Sequence, residues 1–181
     1  MAPYRTCKIP LDFRSLRDEI PYPNKKVKID SIDCKLLEKL QQNADTPVAD
    51  LAAELGLSQT SCWRRIQRLK DAGVITRNVA LLDRNHANVS VTVFVAVRTS
   101  THSQEWFDQF HATVQAITEV VELYRMSGDV DYLLRVVVPD IAAYDKVYKR
   151  LIAGTQLLDV SSSFAMEEIK FTTALPLTYV R

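Results

Sequence analysis

Eight side chains between positions 59 and 70 have the types and spacing to do chemistry. Gln59, Thr60 and Ser61 are followed by Trp63 and Arg64, then by Arg65, Arg68 and Lys70. Gln pairs bidentately with adenine, Arg with guanine, and a Thr methyl packs on the methyl of thymine. Lys and Arg neutralise phosphate. From Ser58 to Arg77 five basic residues stand against one acid, Asp71, a local charge of +4. The chemistry on offer is therefore DNA binding. Gln59, Thr60, Trp63 and Arg64 are placed to read bases, with Ser61 beside them, and Arg65, Arg68 and Lys70 to hold phosphate. Trp63 suits packing beside Ile66 equally well. A solvated basic helix in a small bundle would carry the same charge, so the elements that present these residues must decide.

Those elements have helix-turn-helix spacing. Thr46 is a capping residue and Pro47 suits a first helical turn. Val48, Leu51, Ala52 and Leu55 then share one face. Gly56 fits the left-handed position that ends a helix. Ser58 caps a second helix whose inward residues are Cys62, Ile66 and Leu69, and Gly73 ends it. In this motif the N-terminal turns of the second helix meet base edges in the major groove. Val74 and Ile75 lead into a wing strand expected over 75–82. An earlier helix is expected over Ile29–Asn43, capped by Asp30 or Ser31, with Ile32, Leu36, Leu37 and Leu40 inward.

The chain's 181 residues suffice for one large or two small domains, and its net charge is +1. The distribution of charge says more. Residues 1–80 hold 14 Lys and Arg against 10 Asp and Glu, whereas residues 81–181 hold 9 against 12. A basic first half and a mildly acidic second half suggest two domains with different tasks. There is no apolar run long enough for a membrane span and no signal-like N-terminus, so a cytoplasmic protein is expected. Cys7, Cys34 and Cys62 match neither a disulfide framework nor a zinc pattern. His86, His102 and His111 lack metal-ligand spacing, and no activated nucleophile is visible. No catalytic residue, metal or cofactor is expected.

Residues 1–28 contain Pro3, Pro10, Pro21 and Pro23 and read as a mostly irregular extension ending in the basic cluster Lys25, Lys26 and Lys28. An arm touching phosphate and a disordered tail are the two readings of it. The second half changes rhythm. Val89 to Val97 alternates with period 2, a strand. A helix follows over Ser103–Ile117 with Trp106, Phe107, Phe110, Val114 and Ile117 inward. Strands are expected over Val120–Met126 and Tyr132–Val138, joined by a turn at Gly128 and Asp129. Asp140 caps a further helix with Ile141, Tyr144, Tyr148 and Leu151 inward. Strands over Val160–Phe164 and Ile169–Ala174 close the chain. The order βαββαβ is a ferredoxin-like split βαβ arrangement, so the fold class is α+β. Apolar residues on both faces of the first strand imply that the sheet's open face or edge pairs with a second copy.

Three stretches carry a family resemblance: IDSIDCKLLEKLQQNADTPVADLAAELGLSQTSCWRRIQRLKDAGVI, SGDVDYLLRVVVPDIAAYDKVYKRL and SSFAMEEIKFTTALPL. Over residues 29–181 the chain resembles the Lrp/AsnC (feast/famine) transcriptional regulators. With ALLDR at 80–84, the last two stretches resemble the branch that senses cysteine and activates a cysteine-degrading enzyme. The resemblance implies a winged helix-turn-helix over 29–82, a hinge over 83–88 and an effector-sensing, oligomerising domain over 89–181. It implies dimers that assemble into octamers or other higher oligomers, with double-stranded DNA and an amino acid as partners. It places the amino acid near Gly128, Asp129, Asp131 and Tyr132. Gly128 would allow close backbone approach, and Asp129 or Asp131 has the charge to pair an α-ammonium group. A tight hairpin turn whose Asp residues cap backbone groups explains the same residues. The chain departs from the family at Arg77-Asn78, where Gly-Tyr is frequent, and at Asp45, where Arg is frequent. The extension over 1–28 has no usual counterpart.

The expected function is thus a sequence-specific transcriptional regulator modulated by a small amino acid. The alternative is an architectural DNA-packing protein with no small-molecule switch.

Overall fold

The computed structural model describes residues 27–180. They form two compact units, one reaching to Val79 and including the segment from Thr172, the other Ala80–Phe171.

The first unit contains α1 (Ser31–Gln42), α2 (Val48–Leu55) and α3 (Gln59–Asp71). Asp30 caps α1 through a reciprocal pair. Its carboxylate accepts the Asp33 N–H at 2.8 Å, and the Asp33 carboxylate accepts the Asp30 N–H at 3.0 Å. The α2 start differs by one residue from expectation. Pro47 is the N-cap and offers no side-chain cap, while the Thr46 hydroxyl donates back to the Asn43 carbonyl. Gly56 ends α2 at φ +66, and the Ser58 hydroxyl accepts the Ser61 N–H to start α3. Leu36, Leu37, Leu51, Ala52, Cys62, Ile66 and Leu69 form the buried core. Leu177 packs against this core from the C-terminal segment, and Leu175 exchanges two backbone hydrogen bonds with the Gln41 amide, at 2.7 and 3.2 Å. The expected wing strand over 75–82 is not formed. The segment makes no ladder in this single chain and leaves Val79, Leu81 and Leu82 exposed.

The second unit contains β1 (Val91–Arg98), α4 (Gln104–Gln115), β2 (Val120–Arg125), β3 (Tyr132–Val138), α5 (Ile141–Gly154) and β4 (Asp159–Phe164). The sheet is antiparallel with order β2-β3-β1-β4, the split βαβ order expected. Period 2 sends Val93, Val95, Val97, Tyr132, Leu134, Val136 and Val138 to the helix side, all buried. Phe110, Trp106, Val114, Tyr144, Val147 and Leu151 meet them from α4 and α5. Two expectations fail. Ile169–Ala174 forms no fifth strand, and Met166, Ile169 and Phe171 lie exposed along an unpaired segment. Ile141, expected inward, is exposed, because as the first residue of α5 it precedes the turn that packs on the sheet.

The sheet face away from the helices is mixed. Phe94 and Tyr124 are exposed, and Ala96, Leu133 and Val137 are half-buried. Across this face Arg135 pairs with Glu122 at 2.5 Å, and the Tyr124 hydroxyl donates to Glu122 at 2.9 Å. Arg135 holds the Glu122 carboxyl below its ordinary range.

Candidate nucleic-acid interface and effector turn

The α3 helix divides its residues cleanly. Cys62, Ile66 and Leu69 are buried, while Gln59, Thr60, Trp63, Arg64, Arg68 and Lys70 are exposed. Trp63 is 53% exposed, which resolves its sequence ambiguity: it faces solvent instead of packing beside Ile66 in the core. Beside the start of α3 lies a depression lined by Ser58, Thr60, Ser61, Arg64, Arg65 and Arg68, with Asp30 also on its wall. Three guanidinium groups around one concavity attract a phosphate, the Asp30 carboxylate there being already paired with Arg65. Lys70 in the last turn offsets the helix dipole.

Arg65 and Arg68 have a further role that the sequence did not disclose. The Asp33 carboxylate is fully buried. Its Oδ1 accepts from Arg65 Nη1 at 2.7 Å, and its Oδ2 pairs with Arg68 Nη2. Arg65 Nη1 also donates to Asp30 Oδ2 at 2.7 Å. The Asp30 cap of α1, Asp33 within α1 and two bases on α3 thus form one network that links α3 to α1. Arg65 holds the Asp30 carboxyl at about 2, and the Asp33 N–H adds to the effect. Asp30, with Asp33 behind it, raises Arg65 in turn. A guanidinium has five donors, so both arginines retain N–H groups for an anion. Asp33 sits one residue from Ile32 on a face that periodicity marks as core. Its one visible signal was a carboxylate three residues after Asp30, the spacing of a capping box.

The turn between β2 and β3 brings Gly128, Asp129, Asp131 and Tyr132 together, with distinct surroundings for each. Gly128 has φ +116, a conformation that strains any side chain, and open space around it. Asp129 is exposed. Asp131 ties the turn to the end of β1. Its carboxylate accepts the Thr99 N–H at 2.8 Å, and its own N–H donates to the Val97 carbonyl at 3.0 Å. Tyr132 is buried among Trp106, Phe107 and Phe110, with ring centroids 5.0–6.1 Å away. Burial raises its phenol above the ordinary value. Gly128 and Asp129 are thus exposed, whereas Asp131 is hydrogen-bonded to Thr99 and Tyr132 is buried. The described residues contain no cluster of three metal-ligating side chains.

The chain matches two family models. Residues 29–70 match the AsnC-type helix-turn-helix domain, and residues 92–175 match the Lrp/AsnC ligand binding domain. It is 45% identical over 150 residues to the DNA-binding transcriptional activator DecR of Escherichia coli, covering 82% of this chain and 99% of that one. A crystal structure of an AsnC family transcriptional regulator from Agrobacterium tumefaciens is 60% identical. It superposes with a TM-score of 0.82 over 84% of this chain and 99% of that one. A transcriptional regulator from Neisseria meningitidis, solved in complex with L-methionine, is 32% identical with a TM-score of 0.80, over 85% of this chain and 100% of that one.

Proposed function

The chain belongs to the Lrp/AsnC family of DNA-binding transcriptional regulators; from that premise we propose that it reads a specific operator with α3 and that a small amino acid shifts its assembly or its DNA affinity. The observation that carries this reading is the two-faced α3. Cys62, Ile66 and Leu69 are in the core, and its capped N-terminus presents Gln59, Thr60, Trp63 and Arg64 outward, with Ser61 half-buried beside them. Gln59, Thr60, Trp63 and Arg64 meet bases; Arg65, Arg68 and Lys70 meet phosphate, the first two while pinned to Asp33. The protein works in the cytoplasm, where its DNA is.

The effector docks at the turn Gly128–Tyr132. Asp129 supplies the carboxylate for an α-ammonium group, and Gly128 lets the ligand approach the backbone. Asp131 and Tyr132 hold the turn in shape. The methionine complex of the Neisseria relative supports an amino acid as ligand class. Cysteine is the first candidate, because ALLDR and the C-terminal stretches resemble the cysteine-sensing branch.

The functional particle is a dimer that assembles further, with an octamer the expected form. The open sheet face supports this, with Phe94, Leu133 and Val137 around the Glu122–Arg135 pair. So do the unpaired segments around Leu81 and Ile169, whose free backbone groups and apolar side chains are suited to a second copy. A dimer presents two α3 helices to a pseudo-palindrome.

The test is fluorescence anisotropy at fixed salt on DNA from upstream of its own gene, against scrambled DNA, with each amino acid added in turn and cysteine kept reduced. Specific binding shifted by one or two amino acids is the expected result. Specific binding that no amino acid shifts would remove the effector role. Binding indifferent to sequence would replace the regulator with a DNA-packing protein.

A further inference from the structure

Two of the stretches that carry the family resemblance meet in the structure. Arg84 closes ALLDR, and Glu168 lies within SSFAMEEIKFTTALPL. The Arg84 guanidinium pairs through Nη2 with the Glu168 carboxylate and donates through Nη1 to the Thr92 hydroxyl at 2.5 Å. Thr92 is a buried residue of β1, an inner strand of the sheet, and its carbonyl accepts the Ala165 N–H at 2.9 Å. One arginine thus ties β1 to the stretch that enters the second unit and to the stretch that leaves β4. The turn carrying Arg84 is itself held: the Asp83 carboxylate accepts the His86 N–H and the Arg84 carbonyl accepts the Val89 N–H, both at 2.9 Å.

Placement along the chain gives the pair its task. The chain passes between its two units twice, at Val79–Ala80 and at Phe171–Thr172. Arg84 stands four residues after Ala80, and Glu168 three residues before Phe171. The second crossing is short. Seven residues on from Glu168, Leu175 is bonded to Gln41 of α1, the helix whose Asp33 holds Arg65 and Arg68 of α3. The first crossing sets out from Ile75, which packs against the core of the first unit. With Arg84 28% and Glu168 46% exposed, the pair itself adds little to stability.

We propose that Arg84 and Glu168 are positioning residues for DNA binding: their clasp fixes both crossings to one place on β1, and thereby fixes the separation of the two α3 helices that a dimer presents to DNA. The inference rests on the proposed dimer and its pseudo-palindromic site. The clasp adds no contact to DNA. It restricts the half-site separations at which both helices engage at once, which is where the second helix gains its advantage.

The test compares the full chain with Arg84→Ala, Glu168→Ala and the swap Arg84→Glu/Glu168→Arg, by anisotropy at one salt concentration. Three duplexes are used: the specific duplex from upstream of its own gene, the same duplex with about five base pairs (roughly half a helical turn) inserted between its half-sites, and a single half-site. Each single variant is expected to weaken binding at the native spacing by roughly 2- to 30-fold. It should also narrow the preference over the inserted duplex, with a smaller effect on the half-site and an unchanged urea midpoint. The swap is expected to restore affinity and spacing preference together. The sign for Glu168→Ala is the sharpest readout, because removing a negative charge alone would tighten binding to DNA. Tighter binding by Glu168→Ala with weaker binding by Arg84→Ala would overturn the proposal, by showing Arg84 to be a direct phosphate contact. Wild-type affinity in both single variants would overturn it, as would a swap that restores nothing. A loss of equal size on the half-site, or a lowered midpoint, would overturn it by assigning the pair to the folding of one unit. If the unaltered chain shows no preference for the native spacing, the dimer reading fails, and that failure is visible without any variant.

Discussion

Asp33→Ala removes the one buried carboxylate that joins α1 to α3. Breaking a buried ion pair from one side costs about 3–5 kcal/mol, because the partner charge is left without compensation. Here the stranded guanidinium groups reach water in part, Arg65 being 24% and Arg68 45% exposed. That lowers the electrostatic cost to about 1–3 kcal/mol, between the surface and buried limits. The substitution also strips half of the α1 capping box, worth about 0.5–1 kcal/mol. Asp33→Ala should therefore cost about 2–4 kcal/mol in urea unfolding of the full chain, read from the midpoint at constant m. Asp30→Ala should cost less, about 1 kcal/mol, because its carboxylate is half exposed and its pair with Arg65 is screened. DNA affinity should fall with Asp33→Ala even under conditions where the variant is fully folded, since Arg65 and Arg68 lose the partner that aims them. A loss below about 0.5 kcal/mol with normal DNA affinity would refute the reasoning, for it would mean that the network neither stabilises nor positions α3.

Acid should weaken the first unit over a definable range. Arg65 depresses Asp30 from 3.8 to about 2, so its stabilising effect is full above about pH 4 and is lost as pH falls through about 2. Asp30→Asn should remove that portion of the acid dependence, checked by unfolding at stepwise lower pH. Gly154→Ala should destabilise the second unit by about 1–3 kcal/mol in thermal unfolding, because a Cβ there would collide with the Thr113 side chain where α4 crosses α5. Trp106→Ala should cost about 3–5 kcal/mol, since the indole stacks on Phe110 at 5.0 Å and donates to the Gln156 carbonyl at 2.8 Å. Gln41→Ala should free the C-terminal segment at Leu175, seen as faster proteolysis after residue 171 with little change in the unfolding midpoint.

Periodicity made most of the fold legible, because each element buries one face. Leu36, Leu51, Ile66, Val95 and Phe110 were all recognisable as core from spacing alone. The outward face of α3 was legible for the same reason. What spacing does not reveal depends on long-range partners. Asp33 is a carboxylate among apolar neighbours, and only the approach of Arg65 and Arg68, 32 and 35 residues away, makes its burial tolerable. Asp131 and Tyr132 share a short motif with Gly128 and Asp129, yet a contact to the Thr99 backbone engages the first and an aromatic cluster buries the second, and spacing shows neither. The segments 75–82 and 169–174 have strand composition but no ladder within one chain. Strand propensity expresses fit to neighbouring strands, and a single copy does not provide them.

The account stands or falls on whether the outward face of α3 reads sequence. The most direct measurement is the ratio of affinities for the specific and scrambled duplexes at one salt concentration, in the full chain and in Gln59→Ala and Arg64→Ala. Both residues are exposed, so the fold should survive their loss. Each base contact removed should lower the ratio by about 1–3 kcal/mol, roughly 5- to 150-fold. A ratio unchanged in both variants would contradict the account and place sequence reading on another surface.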